Sequence, residues 1–374
     1  RRAPGRRPLM AGPLDADVIV VGLGVHGSAA VAALARRGHR VIGLERFSSG
    51  HARGSSHGRT RMIRRAYPNA VWNDLVAGAD RAWERLERET GAILIHRTGG
   101  LYAHRGAAQL QGPDCVPLEG AGDLARRMPG FRVPEGYSAI YDPAAGVLEA
   151  ERAIDALRRV ARNAGAQLRF AQRVRDWQVE DDAVHVRLDD AVLRARRLVV
   201  AVGPWAATAI PALAPLLEVW RILTLTVAAG QTVAMPPQLG AFSVDRPEGL
   251  VFGIPDADGN GFKLGVDAGM PWDPESAPAA PTGDEIDRLR TLMQTYVPGI
   301  DTSRADAAAC LYTMTADKRF ILGPLAATPE VIVASACSGH GFKFGAVIGE
   351  ALADMCEGDP RGDLEFVSTA RRGL

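Results

Sequence analysis

Glycines 22, 24 and 27 follow directly on the apolar run Asp17-Val-Ile-Val-Val-Gly22, and no other feature limits the fold as strongly. A short β-branched run of this kind is a buried parallel strand. The glycine spacing turns the chain tightly and brings backbone N–H groups to the start of an Ala-rich helix over 28–37, closed by Gly38. A second strand over 41–44 ends at the acidic Glu45. Strand, glycine turn, helix, strand and carboxylate form a βαβ unit of about 30 residues suited to a dinucleotide. The pyrophosphate would sit at the helix N-terminus, with Glu45 on a ribose diol. The motif by itself does not separate FAD from NAD.

At 374 residues the chain exceeds a single core, and 47% hydrophobic content is enough to fill two packed domains. The net charge of +1 gives no footprint for nucleic acid or an acidic membrane. Four cysteines (115, 310, 337, 356) without a CxxC pair argue against a disulfide framework, a structural zinc site or any other metal, and for a reducing, cytoplasmic compartment. The start of the chain is basic and Pro/Gly-rich, and no apolar h-region follows it. The apolar run over 18–25 is short and glycine-broken, so neither a signal peptide nor a membrane span is expected. Residues 1–14 read as a disordered basic tail, with Met10 an alternative start.

Beyond the first unit, residues 51–67 are rich in Gly, Ser, Arg and His and read as a functional loop leading into a helix, with a further helix over 80–90. An amphipathic helix over 150–164 precedes strands at 168–174, 184–188 and 198–202. The stretch from about 215 to 305 changes character, with strands at 222–228, 249–254 and 262–266, Pro-rich connections and a helix over 284–296. It reads as part of a second domain on an antiparallel sheet. A buried strand over 331–336 and a helix over 345–356 return to the first domain.

Several segments resemble the monomeric sarcosine oxidase family of FAD-dependent amine oxidases. They are Gly54-Ser-Ser-His-Gly-Arg-Thr-Arg-Met-Ile-Arg-Arg-Ala-Tyr67, Thr98-Gly-Gly-Leu101, Asp142-Pro-Ala-Ala-Gly-Val-Leu148, Gly261-Phe-Lys-Leu-Gly265, Cys310-Leu-Tyr-Thr313 and Ser338-Gly-His-Gly-Phe-Lys-Phe344. They occur in family order from about residue 17 to 356. The resemblance implies a mixed α/β, p-hydroxybenzoate-hydroxylase-like architecture. A Rossmann-like FAD domain would comprise 15–95, 146–212 and 306–374, and an antiparallel catalytic domain 96–145 and 213–305. It also implies a monomer that oxidises a C–N bond of an amino or imino acid and returns H2O2 from O2.

Residue by residue, the same resemblance implies FAD bound covalently through its 8α carbon to Cys310. His57 and Arg61 would lie beside the attachment point, where a cation stabilises negative charge on the ring. Gly22, Gly24, Gly27, Glu45, Ser55, Val174, Gly339 and Lys343 would contact the cofactor. Arg64 and Lys343 would grip a substrate carboxylate, which needs full charge and hydrogen-bond replacement on leaving water. Lys263 resembles the lysine that activates O2, and Tyr312 would line the pocket.

The departures bear on the substrate. Asp267 stands where sarcosine oxidases carry a histidine, Ser243 and Phe252 where a methionine and a tyrosine face the substrate, and Asn69 where the entrance loop has a glutamate. An Asp there favours an N–H donor or a cationic nitrogen. It resembles an Asp in the picolinate-forming branch from nikkomycin biosynthesis, which dehydrogenates a cyclic imino acid. The expectation is therefore an oxidase of a small secondary or cyclic amino acid, with a demethylating N-methyl amino acid oxidase as the close alternative. A nicotinamide dehydrogenase and a flavin-fold subunit without turnover are the rivals from other classes.

Overall fold

In this computed structural model residues 13–132, 135–227, 239–257, 261–335 and 338–371 are described. Met10, the first twelve residues of the expected tail and Cys337 lie outside them. Ala16–Val21 occupies the middle of an eight-stranded sheet because both of its faces are apolar. It pairs in parallel with Val41–Leu44 on one side and Val192–Val200 on the other. Val192–Val200 is long enough to serve two partners. Its first half pairs antiparallel with Ala183–Arg187, and Leu198–Val200 pairs in parallel with Thr328–Ser335. Helices Val25–Arg36, Ala150–Asn163 and Gly345–Cys356 cover one face and share a core with Val18, Val20 and Val199.

A nine-stranded sheet forms the second layer system. It is antiparallel except where Ala241–Val244 runs parallel to Gly100–His104. Helix Gly283–Tyr296 closes it with Leu289, Met293 and Tyr296. That helix begins with a capping box between Thr282 and Glu285, and Glu285 also accepts from the buried Arg221 at 2.9 Å. Strand Asp306–Met314 pairs along its whole length with Glu218–Val227, so Cys310, opposite Ile222, stands on the second sheet. A small sheet of Thr60–Ile63, Gly146–Glu149 and Ile95–Arg97 lies beside the two. Among the described residues no helix is long and apolar enough to cross a membrane.

Three sequence expectations change. The 51–67 stretch does not run into a helix: Thr60–Ile63 is a strand on Gly146–Glu149, and helix starts only at Asn73, after a 3-10 turn at Ala70–Trp72. Pro68 disfavours helix at the residue before it, which keeps this stretch extended. The following helix is correspondingly longer than expected, Asn73–Thr90, with Leu75, Val76, Ala79, Trp83 and Leu86 as its buried stripe. The strand expected over 168–174 stops at Arg169. Ala171 takes a positive φ of 55° and its N–H turns to Phe47 O at 3.0 Å, which carries 172–175 out of the sheet.

Candidate active site

The glycine turn is built by close backbone approach. Gly22 has φ 89°, and a Cβ there would stand 2.5 Å from the Ala201 carbonyl oxygen. A Cβ on Gly27 would overlap the Gly22 carbonyl, so helix and strand could not pack this tightly with any side chain. The Leu23 carbonyl accepts from Ser28 Oγ at 2.8 Å and from Arg158 Nη2 at 2.6 Å. Glu45 accepts from the Leu23 N–H at 2.9 Å and the Phe47 N–H at 3.1 Å, with His51 at 3.4 Å. Burial would raise its pKa, but the His51 and backbone contacts outweigh this and hold it below the usual carboxylate range.

A cleft of about 740 Å³ opens over this turn. Gly22, Gly24, Glu45, Ser55, His57 and Val174 line it, while Gly27 packs beneath. Gly339, Lys343 and Cys310 do not line it.

Beside the cleft, Arg61 is held by three carbonyls, those of Thr60, Ser55 and His57, at 2.7–2.8 Å. Its guanidinium lies 5.1 Å from the centre of the Phe342 ring, another cleft residue. His57 Nδ1 is 2.8 Å from the Gly54 carbonyl; burial and the Arg61 charge lower its pKa, so the ring is neutral. Lys263 donates to Thr60 O at 2.6 Å. Burial, then Arg61, bring its pKa down to about 7. Burial raises the Cys310 thiol, while Arg61 and Lys263 pull the other way.

A second cluster gathers around Tyr67. Lys343 Nζ donates to Tyr67 Oη at 3.1 Å and to the His340 carbonyl at 2.9 Å. Arg64 lies 5.5 Å from the Tyr67 ring centre and donates from Nη1 to Ser243 Oγ at 3.2 Å, while its buried Nε has no hydrogen-bond partner among the described residues. Asp267 Oδ1 is also buried, without a hydrogen-bond partner among the described residues. Burial raises the Asp267 pKa against the opposing charges of Lys318, Arg64 and Lys343. A Cβ on Gly339 would come 2.7 Å from the Tyr312 ring and 2.9 Å from Asp267 Oδ1, so Gly339 keeps that space open. Ser243 and Phe252 are cross-strand partners, and the Phe252 ring crosses over Gly265. Asn69 is exposed at the start of the 3-10 turn.

The family model for FAD dependent oxidoreductases matches residues 17–355. The chain belongs to that family. Monomeric sarcosine oxidase from Bacillus sp. (strain NS-129) is 32% identical over 378 residues, covering 96% of this chain and 97% of that protein. N-methyl-L-tryptophan oxidase from Yersinia pestis (strain Pestoides F) is 29% identical over 375 residues, 96% of this chain and all of its own. Among solved structures, the open form of NikD, an unusual amino acid oxidase essential for nikkomycin biosynthesis, aligns with a TM-score of 0.81 at 25% identity. The alignment covers 94% of this chain and 97% of that one.

The cleft of this FAD-dependent oxidoreductase suits its cofactor on its own chemistry. Ser55 Oγ, Trp205 Nε1 and Ser335 Oγ are buried in cleft-lining residues and have no hydrogen-bond partner among the described residues, a want that a polar, ring-bearing dinucleotide would meet. Sequence reasoning gave no role to Tyr67, His340 or Arg158. Tyr67 and His340 stood within quoted motifs, and only their packing with Trp72, Phe320 and Phe344 reveals an aromatic box behind Lys343. Arg158 had a faint signal, an arginine between Leu157 and Val160 on the apolar side of its helix.

Proposed function

We propose that this FAD-dependent oxidoreductase is an oxidase of a small secondary amine bearing a carboxylate, with a cyclic imino acid of the pipecolate or piperideine-carboxylate kind as first choice. One observation carries this reading: Arg64 and Lys343 both lie against Tyr67, their charges act on the largely buried Asp267 carboxyl, and Arg64 Nε and Asp267 Oδ1 keep unused hydrogen-bonding capacity among the described residues. Two cations suit a carboxylate. A buried carboxyl suits an amine N–H. An N-methyl amino acid such as sarcosine satisfies the cations equally and is the second reading.

When bound, FAD would supply the two-electron chemistry, accepting the C–H hydrogen as hydride and passing two electrons to O2, with the amine N–H proton completing H2O2 and the imine. The chain supplies the rest. Arg64 and Lys343 fix the carboxylate and so the orientation of the reacting carbon. Phe252 and Tyr312 wall the pocket. Asp267 accepts from the substrate nitrogen. Arg61 offers the positive charge that favours a reduced, anionic ring, and Lys263 does the same for O2. Cys310 holds FAD as an 8α-S-cysteinyl thioether, a role supported by the two cations, Arg61 and Lys263, whose charges act on its sulfur against the larger effect of burial. The enzyme acts as a monomer.

Assaying peroxide release with proline, pipecolate, sarcosine and piperideine-2-carboxylate tests the substrate class, and turnover of none rejects it. Acid denaturation tests the attachment. Yellow colour stays in the protein pellet of the wild type and moves to the supernatant in Cys310→Ser; colour retained in Cys310→Ser overturns the thioether.

A further inference from the structure

Lys263 is fixed by a backbone carbonyl next to a charged pair. Its ammonium donates to the Thr60 carbonyl at 2.6 Å, and the residue before Thr60, the largely exposed Arg59, forms an ion pair with Asp256 at 3.3 Å. The pairing of Leu250–Pro255 with Phe262–Asp267 sets Ile254 opposite Lys263, and the Asp256 N–H extends that ladder to Gly261 O at 2.7 Å. Alternate residues of a strand share a face, so Asp256 and Lys263 are diagonal neighbours on one face, within reach of long side chains. Gly261 stands opposite Asp256, and a Cβ there would overlap the Asp256 carboxylate. The buried carboxylate therefore lies across the glycine, on the row that Lys263 occupies.

We propose that Asp256, fixed by Arg59 and accommodated by Gly261, is a positioning residue that holds Lys263 as an ammonium for the O2 half of the reaction. This rests on the assignment of Lys263 to that half-reaction. The charged groups facing Lys263 are Arg61, which disfavours its proton, and Asp256 and Glu151, which favour it; Cys310 would favour it only as a thiolate, a charge the proposed thioether removes. Glu151 is tied to the Gly58 N–H at 3.0 Å. With Lys263 already lowered to about 7, loss of one facing carboxylate changes the protonated fraction at neutral pH.

The test is rapid mixing of anaerobically reduced holoenzyme with O2 across pH, read from the return of visible flavin absorbance. In the wild type reoxidation slows as pH rises through the Lys263 pKa. Asp256→Asn moves that midpoint down by about one unit, so reoxidation above it slows up to about tenfold and the rates converge at low pH. Asp256→Glu restores the wild-type midpoint. An unmoved midpoint in Asp256→Asn, or an equal change in anaerobic flavin reduction by the amine, overturns the proposal. Arg59→Gln keeps the test decisive if Asp256→Asn does not fold: it releases the Asp256 carboxylate from its fixed place, so the midpoint moves down, and no movement overturns the proposal. Lys263→Met separates the two levels. If it reoxidises as fast as the wild type, the assignment of Lys263 fails and the inference falls with it.

Discussion

The dinucleotide cleft and the pocket around Tyr67 are made in opposite ways. The cleft is shaped by backbone: Gly22 and Gly27 exist where a Cβ would strike a carbonyl, and Glu45 spends much of its capacity on the turn itself. The Tyr67 pocket is shaped by side chains from distant parts of the chain, Arg64, Ser243, Asp267, Tyr312 and Lys343, and Arg64 and Asp267 keep buried atoms without hydrogen-bond partners among the described residues. A backbone-made site accepts one cofactor and tolerates little change. A side-chain-made site can be retuned for a new substrate one residue at a time, which is the role proposed for Asp267, Ser243 and Phe252.

The contrast is broken most severely from the cleft side. Gly27→Ala forces its methyl into the Gly22 carbonyl and should cost about 3 kcal/mol or more. The expected outcome is protein without bound FAD, read from the ratio of visible to ultraviolet absorbance, and a variant that keeps full flavin content contradicts the turn as described. Next in size are Arg64→Met and Lys343→Met. Removing one partner of a buried charged contact costs about 2–5 kcal/mol, so kcat/KM should fall by about two to three orders of magnitude while flavin content stays constant.

How far each region was legible in the sequence follows from the same contrast. The unit from Asp17 to Glu45 could be read because its requirements are local: glycines at fixed offsets, a strand before them and a carboxylate after. Strand Thr60–Ile63 was not, because its polar pattern is stabilised by Gly146–Glu149, far away in sequence. Arg64, Lys343, Lys263 and Cys310 were named only through family resemblance, since a lone cation or thiol carries no local signature. Asp267 stood out as a departure, yet its burial without a hydrogen-bond partner for Oδ1 among the described residues emerged only when Gly339 and Tyr312 packed against it. Tyr67 was missed because an aromatic residue in a motif reads as core until two cations are seen on it.

Smaller effects sharpen the picture. Asp267→Asn should change the ratio of kcat/KM between cyclic and N-methyl substrates by roughly tenfold. The wild-type carboxyl titrates above the ordinary Asp range, so the variant should also lose an acidic step in its pH–rate profile. Smallest is a pH effect on stability. Burial lowers His340 to about 3 and His26 to about 4. The unfolded chain therefore takes up protons below about pH 6.5 that the folded one refuses, and stability falls as pH drops through that window. The loss should be about 1.4 kcal/mol per group for each pH unit within that window and weaker in His340→Gln, measured by thermal melts at a series of pH values.

The central claim is that a carboxylate gripped by Arg64 and Lys343 presents its amine to FAD. Anaerobic mixing of the enzyme with pipecolate, piperideine-2-carboxylate, proline and sarcosine, each beside its methyl ester, tests it most directly. The account predicts bleaching of the visible flavin band by at least one of the acids and reduction slower by about two orders of magnitude with its ester. Equal bleaching by acid and ester, or none by any of the acids, would contradict it.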